Sequence, residues 1–162
     1  MKIHVLTTGG TIDKVYFDAK SEFQVGPPMI AELLKEAHVT AEVTVEPVLA
    51  KDSLDMNDAD RQLIRERVAT CVADRILITH GTDTMAETAK ALAGVAHKTI
   101  VLTGSMQPAR FRNTDAVFNV GFALGAVQSL PPGVYVAING RIFDAAHVRK
   151  NRERQQFEET DT

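Results

Sequence analysis

The stretch "ITHGTDT" at 78–84 sets His80, Gly81, Thr82, Asp83 and Thr84 directly after the apolar residues Ile76, Leu77 and Ile78. A threonine hydroxyl becomes a nucleophile when a neighbouring base takes its proton. A carboxylate such as Asp83 is a natural partner for an ammonium group. "IHVLTTGGTID" at 3–13 has the same shape, an apolar run ending in threonines and glycines. There Gly9 and Gly10 permit a tight turn from which Thr11 projects, and the amides around Gly10 and Thr11 suit a developing oxyanion. Lys150, in "RKNRER" at 149–154, is a candidate base; it could act only when neutral, and a carboxylate beside it would hold it charged. Ser53, in "KDSLDMNDAD" at 51–60, offers a hydroxyl that could hold a substrate carboxylate.

Each segment also has a plainer reading, and taken alone the plainer reading is the better one. Thr82 and Asp83 would cap the helix that follows. The double glycine would be an ordinary turn with a hydroxyl bonded to backbone. Ser53 would belong to a loop and helix cap, and the basic run would be a solvated face. His80 reads as a packed or hydrogen-bonded residue, and Cys71 as a core residue on an apolar helix face. No cofactor is expected, because neither G-x-G-x-x-G nor a P-loop occurs. No metal is expected either: the five histidines are scattered without H-E-x-x-H, and the acidic run lacks the EF-hand glycine.

Strands and helices alternate along the chain. Residues 2–6, 41–48, 75–79, 98–104 and 133–138 read as strands, with Pro47 placing the second at a sheet edge. Residues 29–37, 57–73, 83–96 and 113–129 read as helices. In the second helix Asn57 or Asp58 is the cap, and Leu63, Ile64, Val68, Cys71 and Val72 share one face. Asn139 and Gly140 signal a hairpin turn into "RIF". The pattern predicts an α/β fold: a doubly wound, mostly parallel sheet with helices on both faces, ending in a hairpin. Ligands of such sheets bind at the carboxyl ends of strands. Thr7 to Thr11, Thr82 to Thr84 and Thr103 to Gln107 all follow such ends and could share one rim.

With 162 residues the chain suits one domain, expected to span 1–157 with a frayed polar tail at 158–162. The net charge of −3 argues against a nucleic-acid partner. No apolar run approaches the roughly 20 residues that span a bilayer, so no membrane partner is expected. A single cysteine excludes an intrachain disulfide and suits a reducing, cytoplasmic setting.

Taken together the segments are no longer ambiguous. "TTGGTID" (7–13), "ITHGTDTMAETA" (78–89), "VLTGSMQPARFRNTDAVFNV" (101–120) and "NGRIFDAAHVRKN" (139–151) occur in this order. The sequence resembles the N-terminal domain of the bacterial-type L-asparaginases over nearly its whole length. The resemblance implies an amidohydrolase that converts asparagine, or a related small amino-acid amide, to the acid and ammonia through a threonine acyl-enzyme. It implies Thr11 as nucleophile, Thr82 as second catalytic threonine, Asp83 as the contact for the substrate ammonium, and Lys150 as the lysine acting with Thr82. Ser53 matches the serine holding the substrate α-carboxylate, and Gly10 and Gly81 border the same pocket. Tyr16, the only tyrosine on the loop after the first motif, takes the place of the tyrosine assisting the first threonine. Two departures stand out. Leu54 occupies a position where the family often carries glutamine. Family members also usually continue into a second, smaller domain, which residues 1–162 do not contain. A homodimer or higher homo-oligomer is expected, since most oligomers are symmetric and one rim of the site stands open. The alternatives are a catalytically weak or inactive amino-acid-binding or assembly domain and, on fold analogy alone, a nucleotide-binding domain.

Overall fold

The structure is a computed structural model and describes residues 1–161. Ten strands and four helices follow one another: β1 Lys2–Gly9, β2 Lys14–Phe17, β3 Glu22–Val25, α1 Ile30–Glu36, β4 Glu42–Lys51, α2 Asp58–Thr70, β5 Arg75–Thr79, α3 Met85–Ala91, β6 Thr99–Thr103, α4 Ala116–Ser129, β7 Gly133–Ile138, β8 Arg141–Asp144, β9 Val148–Asn151 and β10 Gln156–Glu159. Six of the strands form the central sheet in the order β4-β1-β5-β6-β7-β8. Its first five strands are parallel and β8 returns antiparallel, pairing Ile138 with Arg141 beside the Asn139–Gly140 turn. The α/β reading with a terminal hairpin therefore holds, and β4, which carries Pro47, is an edge strand.

Alternation in the strands divides the core into two layers. Leu6, Ile76, Ile78, Ile100 and Leu102 point to one face, where Ile64 and Val68 of α2 and Met85, Ala89 and Leu92 near α3 cover them. Ile3, Val5, Leu77 and Val101 point to the other, against Ile30 and Leu33 of α1 and Val120, Ala123 and Val127 of α4. Burying each large side chain contributes about 1.5–3 kcal/mol. The chain leaves β1 toward β4 on one side and returns across it to β5 on the other. The crevice between the carboxyl ends of β1 and β5 is thus the topological switch point of the sheet, where such folds bind ligands.

Several local expectations differ from the structure. The second helix stops at Thr70, so Cys71 is its half-buried C-cap and Val72 is 97% exposed rather than on the apolar face. Its N-cap is Asn57, in a reciprocal capping box with Asp60. The third helix is only Met85–Ala91, because turns take over before Gly94 at positive φ. Two small hairpins, β2–β3 and β9–β10, lie outside the central sheet. The second overturns the expectation of a frayed tail: Phe157 is buried, Glu159 pairs with Val148, and the Thr160 amide donates to the His147 carbonyl at 2.9 Å. Thr162, the last residue of that expected tail, lies outside the described residues.

Candidate active site

Gly10 follows β1 with φ 85° and ψ −174°, a backbone shape that L side chains avoid. Its amide donates to the Lys51 carbonyl at 2.9 Å, which ties the turn to the end of β4. A Cβ at Gly10 would stand 2.5 Å from Gly81 Cα, and a Cβ at Gly81 would stand 2.7 Å from both Cβ and Oγ of Ser53. Residues 10, 81 and 53 are therefore stacked closer than any side chain would allow. That contact joins the two strand ends into one rim. Thr11, next along, opens a 3-10 turn at Thr11–Asp13 and is half-buried.

Thr82 and Asp83 do not cap α3. The N-cap position belongs to Thr84, which makes no side-chain capping bond. Instead Lys150 Nζ donates to Thr82 Oγ1 at 2.7 Å and to Asp83 Oδ1 at 2.8 Å. The Lys150 side chain is only 5% exposed, although it sits in a run of charged residues. The β9–β10 hairpin causes this: Lys150 pairs with Phe157, whose ring is buried in the core layer, so the hairpin is anchored over α3. Because the ammonium donates to Thr82 Oγ1, the proton of that hydroxyl is free for another acceptor. Arg152 Nε also approaches Asp83 Oδ1, at 3.9 Å, a contact that the sequence reading missed in the same basic run.

Ser53 is buried and begins a 3-10 turn whose cap is Asp52. Its Oγ accepts from the Thr84 amide at 3.3 Å, and its carbonyl accepts from Thr84 Oγ1 at 2.8 Å. The serine is thus tied to the loop carrying Thr82 and Asp83. Asp52 also pairs with Lys14 of β2 at 2.9 Å. Burial alone would raise the Asp52 pKa, but the Lys14 ammonium and the Leu54 amide outweigh it and the net shift is downward. Leu54 points outward and is 58% exposed. Tyr16, on β2, is 52% exposed and sets its ring edge-on to Phe23 at 5.4 Å, standing on the hairpin apart from the hydrogen-bonded cluster.

Two residues behind the rim hold it in shape. His80 is fully buried; its Nδ1–H donates to the Gly81 carbonyl at 2.7 Å, which leaves Nε2 to accept from the Thr88 hydroxyl at 2.8 Å. Burial depresses its pKa to about 4, so it is a neutral structural imidazole. Asp115 was not singled out from the sequence. Its carboxylate accepts from the amides of Met106 and Gln107 and from Asn119 Nδ2, while Asn119 Oδ1 accepts from the Asn139 amide. One acid thereby fixes the loop after β6 and the turn after β7.

The same order of motifs and the same topology recur in known proteins. A family model described as "Asparaginase, N-terminal" matches residues 2–160. The chain belongs to the asparaginase family. It is 36% identical over 160 residues to an L-asparaginase of Thermococcus kodakarensis, covering 93% of this chain and 48% of that protein. It is 33% identical over 159 residues to L-asparaginase 2 of Escherichia coli, covering 91% and 46%. The structure of the thermostable Thermococcus kodakarensis enzyme superposes with a TM-score of 0.84 at 32% identity, over 98% of this chain and 51% of that one. L-asparaginase I of Vibrio cholerae superposes equally well, with a TM-score of 0.84 at 30% identity over 99% and 52%. The chain thus spans about half the length of these relatives. Among the described residues no helix is long and apolar enough to cross a membrane.

Proposed function

We propose that this domain carries the catalytic half of an amidohydrolase that releases ammonia from L-asparagine or a related small amino-acid amide. The observation that supports the reading most is the bonding of Lys150 Nζ to both Thr82 and Asp83 beside the Gly10–Gly81 contact. In this reading Thr11 Oγ attacks the side-chain carbonyl, and its proton passes through Thr82 Oγ1 to Lys150, which must first release its own proton and act as the neutral amine. The tetrahedral oxyanion rests on backbone amides that follow Gly10, whose own amide is given to Lys51. The proton passes to the leaving nitrogen, the C–N bond breaks and ammonia departs, leaving a threonine ester. Water then adds to the ester, and the acid and the Thr11 hydroxyl are regenerated. Asp83 Oδ2, opposite the oxygen engaged by Lys150, takes the substrate ammonium, and Ser53 Oγ–H takes the α-carboxylate. Tyr16 would serve Thr11 only after the β2–β3 hairpin settles over substrate. The single cysteine favours a cytoplasmic protein.

The test is ammonia release from L-asparagine, L-glutamine and D-asparagine by the purified protein and by Thr11→Ala, Thr82→Ala and Lys150→Met. Each substitution should lower turnover by about 10²–10⁴-fold, the usual contribution of a positioned proton-transfer group. Equal release by all four proteins would refute the assignment. A second reading, a binding domain without turnover, draws support from the outward Leu54 at the pocket edge. Calorimetric binding of aspartate with no ammonia at any protein concentration would select it.

A further inference from the structure

The turn that carries Ser53 is rich in acid. Asp52 precedes the serine and Asp55 ends the 3-10 turn Ser53–Asp55, while Leu54 between them is apolar and exposed. Ser53 Oγ accepts from the Thr84 amide at 3.3 Å, so its own proton is free for an incoming oxygen. The Leu54 amide is already given to Asp52 Oδ1 at 3.1 Å. On this turn a substrate carboxylate therefore meets one neutral hydroxyl between two acidic neighbours. Like charges repel, and an anion leaving water needs a charged or strongly donating partner. Two nearby lysines are engaged elsewhere: Lys150 on Thr82 and Asp83, and Lys51 on both carboxylate oxygens of Asp60 at 3.0 and 2.9 Å.

Lys14 is the cation that remains. It directly follows the Thr11–Asp13 turn, and its backbone is held by pairing with Val25 across the β2–β3 hairpin. Its Nζ lies 2.9 Å from Asp52 Oδ2 and its side chain is only 25% exposed, so the ammonium is part-buried beside the Ser53 turn. Among the described residues Asp52 is its one ion-pair partner, which leaves N–H donors free on the same nitrogen. Burial raises the Asp52 pKa; the Lys14 ammonium, the Leu54 amide and, at longer range, the Lys150 ammonium lower it. Because the charge of Lys150 reaches Asp52, the Lys14–Asp52 pair borders the same site as Thr82 and Asp83. We infer that Lys14 is a specificity-determining residue: together with Ser53 it binds the substrate α-carboxylate and so selects amides of α-amino acids over simple amides. Asp83 then holds the positive end of a zwitterion and Lys14 the negative end, with Asp52 steadying the ammonium between substrates. The inference rests on the amidohydrolase reading.

Lys14→Met should raise KM for L-asparagine about ten- to a hundredfold while kcat changes far less, the loss expected of a hydrogen bond to a charged group. Against 3-aminopropanamide, the same amide without an α-carboxylate, wild type and Lys14→Met should have equal kcat/KM. Calorimetry with L-aspartate and β-alanine repeats the comparison without turnover. Lys14→Arg keeps a charged donor and should recover most of the affinity. Lys20→Met removes the same charge from the tip of the same hairpin and should behave as wild type. Lys14→Met combined with Asp52→Asn separates direct binding from charge balance: were Lys14 only neutralising Asp52, loss of both charges would restore affinity, whereas a carboxylate ligand lost stays lost. An unchanged KM and aspartate affinity in Lys14→Met, an equal loss on the ligands without an α-carboxylate, or full recovery in the double variant would each overturn the proposal and leave the amidohydrolase reading standing. A wild-type protein that neither releases ammonia from L-asparagine nor binds L-aspartate would overturn both.

Discussion

A side chain at position 81 would have to occupy the space of Ser53, which is itself buried. Gly81→Ala should therefore destabilise the fold by about 1–3 kcal/mol, as overpacking does. It should also push the Thr82 loop from the Gly10 turn and lower ammonia release more than the stability loss explains. Urea unfolding and the amide assay on the same preparation check both effects; an alanine variant of wild-type stability and turnover would contradict the stacking argument. At this scale much was legible. Thr82, Asp83 and Ser53 have hydroxyl or acid chemistry at strand ends, and glycines mark close backbone approach. The inward turn of Lys150 was not legible from spacing, because 67 residues separate it from Asp83 and its neighbours Arg149 and Arg152 are both exposed. Only the resemblance supplied it, and the buried Phe157 across the hairpin explains it.

Elements were legible where burial writes a pattern. β5 and β7 coincide with the expected 75–79 and 133–138, because apolar runs end there in threonine or asparagine. β2 and β3 escaped notice, since their residues are exposed or half-buried and the strands rest on each other rather than on the core. The loop after β6 owes its shape to Asp115, whose role depends on two amides and an asparagine brought together by folding. Asp115→Ala would leave the Met106 and Gln107 amides without this acceptor, while Asn119 Nδ2 keeps the Gly104 carbonyl. It should cost about 1–2 kcal/mol, the usual loss for part-exposed hydrogen bonds to a carboxylate, and hydrogen exchange at Met106 and Gln107 should accelerate selectively. A uniform acceleration across the sheet would instead indicate global destabilisation. Asn57→Ala, which breaks the capping box of α2, should cost about 1 kcal/mol and leave that loop's exchange unchanged.

Across the whole molecule, two buried titrating groups pull stability in opposite directions with pH. Asp13 accepts from the Met29 amide at 2.8 Å, but burial dominates and raises its pKa from 3.8 to about 6. The folded state holds that proton more tightly than the unfolded state, so this contribution falls as pH rises from about 4 to 6. His80 behaves oppositely: burial lowers its pKa from 6.5 to about 4, the unfolded state takes the proton first, and stability falls as pH drops through that window. Each group alone is worth on the order of 2–3 kcal/mol across its window. Their opposition flattens the wild-type profile between about pH 4 and 6. Asp13→Asn keeps an acceptor for the Met29 amide while removing the titration, so its stability should climb steeply with pH and exceed wild type near neutrality. His80→Gln removes the other limb and should leave stability declining as pH rises. Urea titrations of the three proteins at matched pH values decide the point: parallel profiles would mean that neither group carries the linkage and that acid sensitivity resides in the surface ion pairs.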